Sequence, residues 1–105
     1  MIFGRGRFRE LVERQLDLFE EDEAELLDDA DEADAAWTNA DANAAEELYG
    51  DYQLVVDAIG ERLYEIRESY ARSLDEPRAG EYRIAFNRAV ESRLGRYATF
   101  VDGDL

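Results

Sequence analysis

The sequence predicts an all-α fold: a long antiparallel helical hairpin with a shorter third helix, completed as a bundle by dimerisation. Apolar residues recur three and four positions apart along most of the chain, as on one face of an α-helix. No stretch alternates apolar and polar residues with a period of two, so no β-strand is predicted. The one proline, Pro77, leaves the chain before it free to form long helices. At 105 residues the chain is expected to form a single helical domain, residues 1–105.

The first helix is predicted from about residue 7 to about residue 36. Its apolar stripe has spacings of three, four and seven and consists of Phe8, Val12, Leu16, Phe19, Leu26, Ala30, Ala33 and Trp37. Glu23 stands at a position of this stripe where an apolar side chain is expected. Thr38 and Asp41, which follow the stripe, favour a turn because their side chains cap helix starts.

The second helix, about residues 41–75, has the most regular pattern in the chain. Its heptad seam alternates spacings of three and four and consists of Tyr49, Tyr52, Val56, Ile59, Leu63, Ile66 and Tyr70. A narrow seam of this kind packs against a partner helix, as in a coiled coil. Gly50 leaves open whether the helix begins near Asp41 or near Asp51. Pro77 cannot continue the helix, so the helix ends before it.

A shorter third helix is predicted over about residues 81–97, followed by a frayed tail at residues 99–105. Its apolar side consists of Tyr82, Phe86, Ala89, Val90, Leu94 and Tyr97. Two long helices with a short link form an antiparallel hairpin, and one short helix cannot cover both of their seams. Pairing of two copies would bury the remainder, so a homodimer is predicted.

The net charge is −15, and all 12 basic residues are arginine. In concentrated salt the methylene stem of lysine favours apolar association, whereas carboxylates hold water and cations. Self-repulsion is weak there because the Debye length falls to about 3 Å at 1 M salt. No run approaches the roughly 20 apolar residues of a membrane helix. We therefore expect a halophilic, cytoplasmic protein with no membrane segment; the alternative is an acidic protein adapted to ordinary ionic strength.

The acidic residues are concentrated in the middle of the sequence. Residues 15–61 carry 17 acidic side chains and no basic one, whereas residues 62–105 carry eight of each. Residues 1–14 carry four arginines and two glutamates. An antiparallel hairpin brings the two arginine-containing ends together, so an electrically lopsided molecule is predicted.

Candidate metal ligands follow from the acidic residues. The chain has no His, Cys or Lys, so any catalysis would have to use carboxylates and a metal ion. Glu23 lies on the core side of its helix, so Glu23 and Asp51 are the candidate ligands for Mg²⁺ or another hard cation. Acidic pairs three apart, such as Glu65 and Glu68, resemble those of helical nucleoside triphosphate pyrophosphohydrolases. A solvated acidic surface is the simpler interpretation, and no catalytic or cofactor-binding residue is predicted.

The candidate interaction residues are Arg5, Arg7 and Arg9, which alternate with glycine and Phe8 near the N-terminus. This composition suits contacts with RNA or phosphate. The negative net charge repels nucleic acid, however, and concentrated salt suppresses the counterion release that drives such binding. Nucleic acid is therefore not the expected partner, and ion pairs with glutamates across the open end of the hairpin are the alternative role.

Three stretches of the sequence, at residues 8–16, 47–52 and 85–90, resemble those of a known family, as do the acidity of the chain and its lack of lysine. They resemble a family of small haloarchaeal acidic helical proteins with no established activity. The resemblance implies no functional residue. The expected function is a non-catalytic protein–protein interaction module that engages itself and another protein. The alternative is a Mg²⁺-dependent protein that handles nucleotides or phosphate with carboxylates on facing helices.

Overall fold

The fold is that of a computed structural model, which describes residues 6–98. None of these residues lies in a β-strand, and helices account for most of them, so the predicted all-α class is confirmed. Arg5 and the predicted tail at residues 99–105 lie outside the described residues. The elements in chain order are α1 (Arg9–Asp22), α2 (Ala24–Thr38), α3 (Ala45–Ala71), α4 (Arg78–Arg93) and a 3₁₀ helix (Gly95–Tyr97).

The predicted first helix is in fact two helices, because the chain leaves helical geometry at Glu23. This residue has φ −110° and ψ 28°, although its N–H still bonds the carbonyl of Phe19 at 2.8 Å. Neither proline nor glycine stands nearby to cause the bend. Its cause is tertiary packing, since α2 packs mainly against α3 whereas α1 packs mainly against α4. The prediction of one continuous helix from about 7 to 36 is thus corrected.

Helix α3 is continuous through Gly50 and begins at Ala45 rather than at either predicted start. Asp41 instead orders the turn before it. The Asp41 Oδ1 atom accepts hydrogen bonds from the backbone N–H groups of Asn43 and Ala44, both at 3.0 Å. Such bonds from an aspartate side chain stabilise a turn. The helix then runs unbroken for 27 residues, a length of about 40 Å.

Helix α4 begins at Arg78 and ends at Arg93, so the predicted third helix of 81–97 is corrected at both ends. Pro77 directly precedes the helix, because its fixed φ and missing N–H suit a helix start as well as they end one. Leu94, with φ −134°, separates α4 from the 3₁₀ helix.

Helix α4 lies along α1 and packs against α3 as well. The two helices run in the same direction, since Arg7 pairs with Glu81 near their starts and Arg93 pairs with Glu20 near their ends. The Tyr82 hydroxyl, at the centre of this layer, donates a hydrogen bond to Gln15 at 2.8 Å. The largest fully buried core side chains are Val12, Leu16, Phe19, Ile59, Leu63, Tyr82, Phe86 and Val90.

The other half of the molecule consists of α2 and residues 45–58 of α3, which together we call the distal arm. Ala30 is the one fully buried residue of α2, and α3 has none before Ile59. At the tip, the rings of Trp37 and Tyr49 pack edge to face with centroids 4.9 Å apart. The described residues span 52 × 25 × 25 Å, and the arm is the half of that length in which two helices pack without α4.

Candidate interaction surfaces

Two arginines near the C-terminal end of the fold connect it to the acid-rich helices. Burial alone would lower the pKa of Arg93, but its hydrogen bonds to Asp17 and Glu20 raise this pKa above its ordinary value. The charges that are separated along the sequence are therefore partly compensated in the fold. The pairs join Arg93 to Glu13, Asp17 and Glu20, and Arg96 to Asp31 and Asp34, with N···O distances of 2.8–3.1 Å.

A second group of charges is buried between α3 and α4. Glu68 accepts hydrogen bonds from Arg83 Nε and Nη2, both at 3.0 Å, and from Arg67 Nε at 2.8 Å. Arg67 also donates to Asn87 Oδ1 at 3.0 Å. The hydrogen bonds from Arg83 and Arg67 outweigh burial and lower the pKa of Glu68. These residues form a structural network in which the acidic member already has its charge satisfied.

The predicted cation ligands Glu23 and Asp51 are not brought together. The Glu23 carboxylate accepts a hydrogen bond from Arg62 Nε at 3.1 Å. Asp51 is exposed and lies 11 residues before Arg62 on α3, about 16 Å of helix rise. Across residues 6–98, no group of three or more acidic side chains is arranged to hold a metal ion. A site at Glu23 and Asp51 therefore stays a prediction.

The first candidate surface is a groove between α1 and α4, which we call the α1–α4 groove. Its volume is about 250 Å³. Val12, Ala85 and Ala89 form its apolar side, and Ile84, which is 50 % exposed, stands at its rim. The groove lies along the N-terminal half of α1 and the middle of α4, near the predicted arginine-rich end. It offers an apolar surface to a side chain from outside the fold.

Charged residues also border this groove, two of each sign. Arg9 lines it from α1 and Arg88 from α4, and within residues 6–98 neither of them forms an ion pair. Each acid contacts an arginine outside the groove. Glu13 pairs at 2.9 Å with Arg93, which Asp17 and Glu20 share, and Glu81 pairs with Arg7 at 3.4 Å. The two charged groove residues without an ion pair are thus both arginines, in a protein of charge −15.

The predicted interaction residues have three different outcomes. Arg9 lines the groove, Arg7 is held by Glu81, and Arg5 lies outside the described residues. Sequence reasoning missed Arg88 and Ile84. Ile84 carried a signal, since it is a large apolar residue of the third helix outside the predicted stripe. Arg88 carried no such signal, because the sequence does not show which arginines form ion pairs.

The second candidate surface, which we call the open face, lies on the side of the α1–α3 pair away from α4. Leu63, Arg67 and Ala71 of α3 are buried. Other α3 residues on the next side of the helix line two adjoining grooves of about 410 and 170 Å³. The open face is lined by Gln15 and Leu18 of α1 and by Arg62, Ile66, Ser69 and Ser73 of α3.

Two further findings bear on function. Over residues 6–98, every helix is too short or too polar to cross a membrane. Comparison with family models, with curated proteins and with solved structures finds no match for this chain. The resemblance to a haloarchaeal family therefore stays a prediction, and function has to be argued from the surfaces alone.

Proposed function

We propose that this protein is a non-catalytic helical interaction module that forms a homodimer through its open face, in a salt-rich cytoplasm. The proposal rests on one observation, which is that α4 covers the helical hairpin on one side only. Helix α4 packs on one side of α1 and α3, while the open face on the other side keeps two adjoining grooves. A four-helix core is the common way to bury such a surface.

A stable dimer would use more of this side of the molecule than the two grooves alone. The grooves follow about 16 Å of α3, from Arg62 to Ser73, whereas the fold is 52 Å long. A stable interface buries about 800 Å² on each partner. Leu18, 52 % exposed, supplies an apolar side chain at one groove, and Ile66, packed at the edge of the core, lies in both. Their burial would drive association.

A second copy fits this face because the face carries both signs of charge. Arg62 pairs with Glu23 at 3.1 Å and with Glu65 at 3.5 Å, and both pairs are partly exposed. In a two-fold dimer the same patch meets itself, so Arg62 of each copy can reach an acid of the other. The net charge of −15 on each copy opposes association until salt screens it. We therefore expect the dimer to require concentrated salt.

The dimer is tested by sedimentation equilibrium in molar KCl. We expect the mass of two chains for the native sequence, and of one chain for Ser69→Arg, whose long side chain would fill the groove. Ser92→Arg is the matched control, because Ser92 is exposed on α4 and makes the same change of charge. Leu18→Asp should also dissociate the dimer, whereas Leu54→Asp, on another side of α3, should not.

Two results would reject the proposal. A native chain that sediments as one copy at all KCl concentrations would exclude the homodimer. A dimer that survives both Ser69→Arg and Leu18→Asp would place the interface elsewhere. Far-UV circular dichroism of each variant shows that the helices are intact, since all four substitutions are at exposed positions.

A further inference from the structure

We propose that the α1–α4 groove binds an acidic amphipathic helix of a partner protein, with Arg9 and Arg88 pairing with carboxylates on the two flanks of that helix. The inference rests on the proposal that this chain is an interaction module, and it does not depend on the homodimer. The groove lies between α1 and α4, whereas the open face lies between α1 and α3.

The charge of the α1–α4 groove favours an acidic partner. The chain has 27 acidic and 12 basic residues, so an arginine without an ion pair is unexpected. Four exposed arginines have none within residues 6–98, and two of these four, Arg9 and Arg88, line one groove. The other two, Arg14 and Arg72, lie outside it. Because Glu13 and Glu81 are held by other arginines, the groove attracts carboxylates from outside the molecule.

The size and polarity of the α1–α4 groove suit the side chains of a bound helix. At about 250 Å³ the groove is smaller than the roughly 300–1,000 Å³ of typical small-molecule pockets. Its apolar side, formed by Val12, Ala85 and Ala89, and its exposed rim residue Ile84 suit aliphatic side chains that enter one or two at a time. A helix laid along a groove between two helices presents its apolar residues in this way.

The two arginines are staggered along the groove. Arg7 pairs with Glu81 and the ring of Phe8 packs on that of Tyr82, so in these parallel helices Arg88 lies about five residues further along the groove than Arg9. That offset is about 7.5 Å of helix rise. Two residues five apart on a bound helix are separated by the same rise and by about 140° around its axis. They therefore stand on opposite flanks of one apolar stripe, each facing one of the two arginines.

The stagger defines the expected binding motif. It is a helix with two acidic residues five apart, flanking an apolar stripe with spacings of four, three and four. We would test it with a fluorescein-labelled peptide of about four turns that has leucine at the stripe, two glutamates five apart, and alanine elsewhere. Two control peptides carry glutamine in place of both glutamates, or the two glutamates seven apart on one flank.

Binding is measured by fluorescence anisotropy at a KCl concentration where circular dichroism shows the full chain folded. We expect Arg9→Gln with Arg88→Gln to weaken binding of the glutamate peptide about tenfold, as two partly exposed ion pairs would. Arg14→Gln with Arg72→Gln is the matched control, because it removes the same charge from unpaired arginines outside the groove, and should leave affinity unchanged. The native chain should bind both control peptides about tenfold more weakly.

The apolar part is tested separately. Ile84→Asp should weaken binding at least tenfold, whereas Leu54→Asp, an equal substitution on a more exposed leucine, should not change it. An exchange of charges gives a further test, in which the Arg9→Glu, Arg88→Glu variant should bind a peptide whose two glutamates are replaced by arginine. If this variant binds the arginine peptide as tightly as the native chain binds the glutamate peptide, the charges on the two flanks, rather than net charge, set specificity.

Several results would overturn the inference. Equal losses of affinity in the Arg9 and Arg88 double variant and in the Arg14 and Arg72 double variant would show that only net charge matters. A single-stranded RNA that binds the native chain in molar KCl, but not the Arg9 and Arg88 double variant, would assign the groove to nucleic acid. A second copy in the groove would appear as dimer dissociation by Ile84→Asp. Because the dimer test uses Ser69 and Leu18 of the open face, failure of one proposal leaves the other measurable.

Discussion

The Glu68 carboxylate contacts two guanidinium groups, one of them almost completely buried. Its side chain is 13 % exposed, and that of Arg67 is 3 % exposed. A buried charge is costly unless it is paired and hydrogen-bonded, so removal of one partner is more damaging than loss of a surface pair. The hydrogen bonds from Arg83 and Arg67 also lower the pKa of Glu68, which makes its contribution depend on pH.

We expect Glu68→Gln to lower the free energy of unfolding by about 2–3 kcal/mol at pH 7. The folded carboxyl has a lower pKa than the ordinary 4.5, so its contribution is complete above about pH 4.5. The contribution decreases as the pH falls below 4.5 and is lost once the pH is below the lowered pKa, so the native chain and the variant should converge over that range. Urea unfolding in molar KCl, followed by circular dichroism, measures both effects.

The control for this prediction is Glu65→Gln on the same helix. Glu65 is 65 % exposed and pairs with Arg62 at 3.5 Å, so its loss should cost less than about 0.5 kcal/mol. Equal losses from the two variants would show that the buried network contributes no more than a surface pair. A constant difference between Glu68→Gln and the native chain down to pH 3 would contradict the lowered pKa.

At the scale of the helix, Gly50 is an exposed glycine in the first half of α3. Glycine in a helix interior lowers stability by about 0.5–1 kcal/mol relative to alanine, because the unfolded backbone is freer. Nothing lies within 4 Å of a Cβ added at Gly50. Gly50→Ala should therefore raise the free energy of unfolding by about 0.8 kcal/mol in urea titrations.

Gly95→Ala is the matched control, since its added Cβ also meets nothing within 4 Å. Gly95 lies in the 3₁₀ helix rather than in the interior of an α-helix. We expect the gain there to be about half that at Gly50. A loss of stability in Gly50→Ala would mean that α3 is not continuous at this position in solution.

The helices differ in how far their sequences determine them. The apolar spacing of the second segment predicts α3, because its seam stays on one side of the helix while it packs against α2 and then against α4. The break at Glu23 was not predictable from local sequence, because it follows from α1 packing on α4 while α2 packs on α3. A glutamate at an apolar position of the stripe was the only sign of it. Arg9 was similarly predictable as an exposed arginine, but its lack of an ion pair was not.

On the scale of the whole molecule, arginines hold the acid-rich helices at few points, and among residues 6–98 only Arg96 pairs with acids of the distal arm, at Asp31 and Asp34. Arg93 and Arg96 pair with acids from Glu13 to Asp34. The distal arm, by contrast, contains no basic residue of its own and few buried side chains. Repulsion among its carboxylates is opposed mainly by the apolar seam between α2 and α3. Salt both screens that repulsion and strengthens the seam.

We therefore expect helicity to be lost on dialysis into low salt and recovered in molar KCl, with the distal arm opening first. Trp37, the one tryptophan, lies at the tip of the arm, so its emission should shift to the red at a higher KCl concentration than that at which far-UV ellipticity falls.

Asp28→Asn with Asp29→Asn, both exposed on α2, should lower the KCl midpoint of the Trp37 transition. Glu10→Gln with Glu91→Gln removes the same charge from outside the arm and should move it less. Coincident transitions would show that the two halves unfold together, and full folding at about 10 mM salt, where the Debye length is 30 Å, would contradict salt dependence altogether.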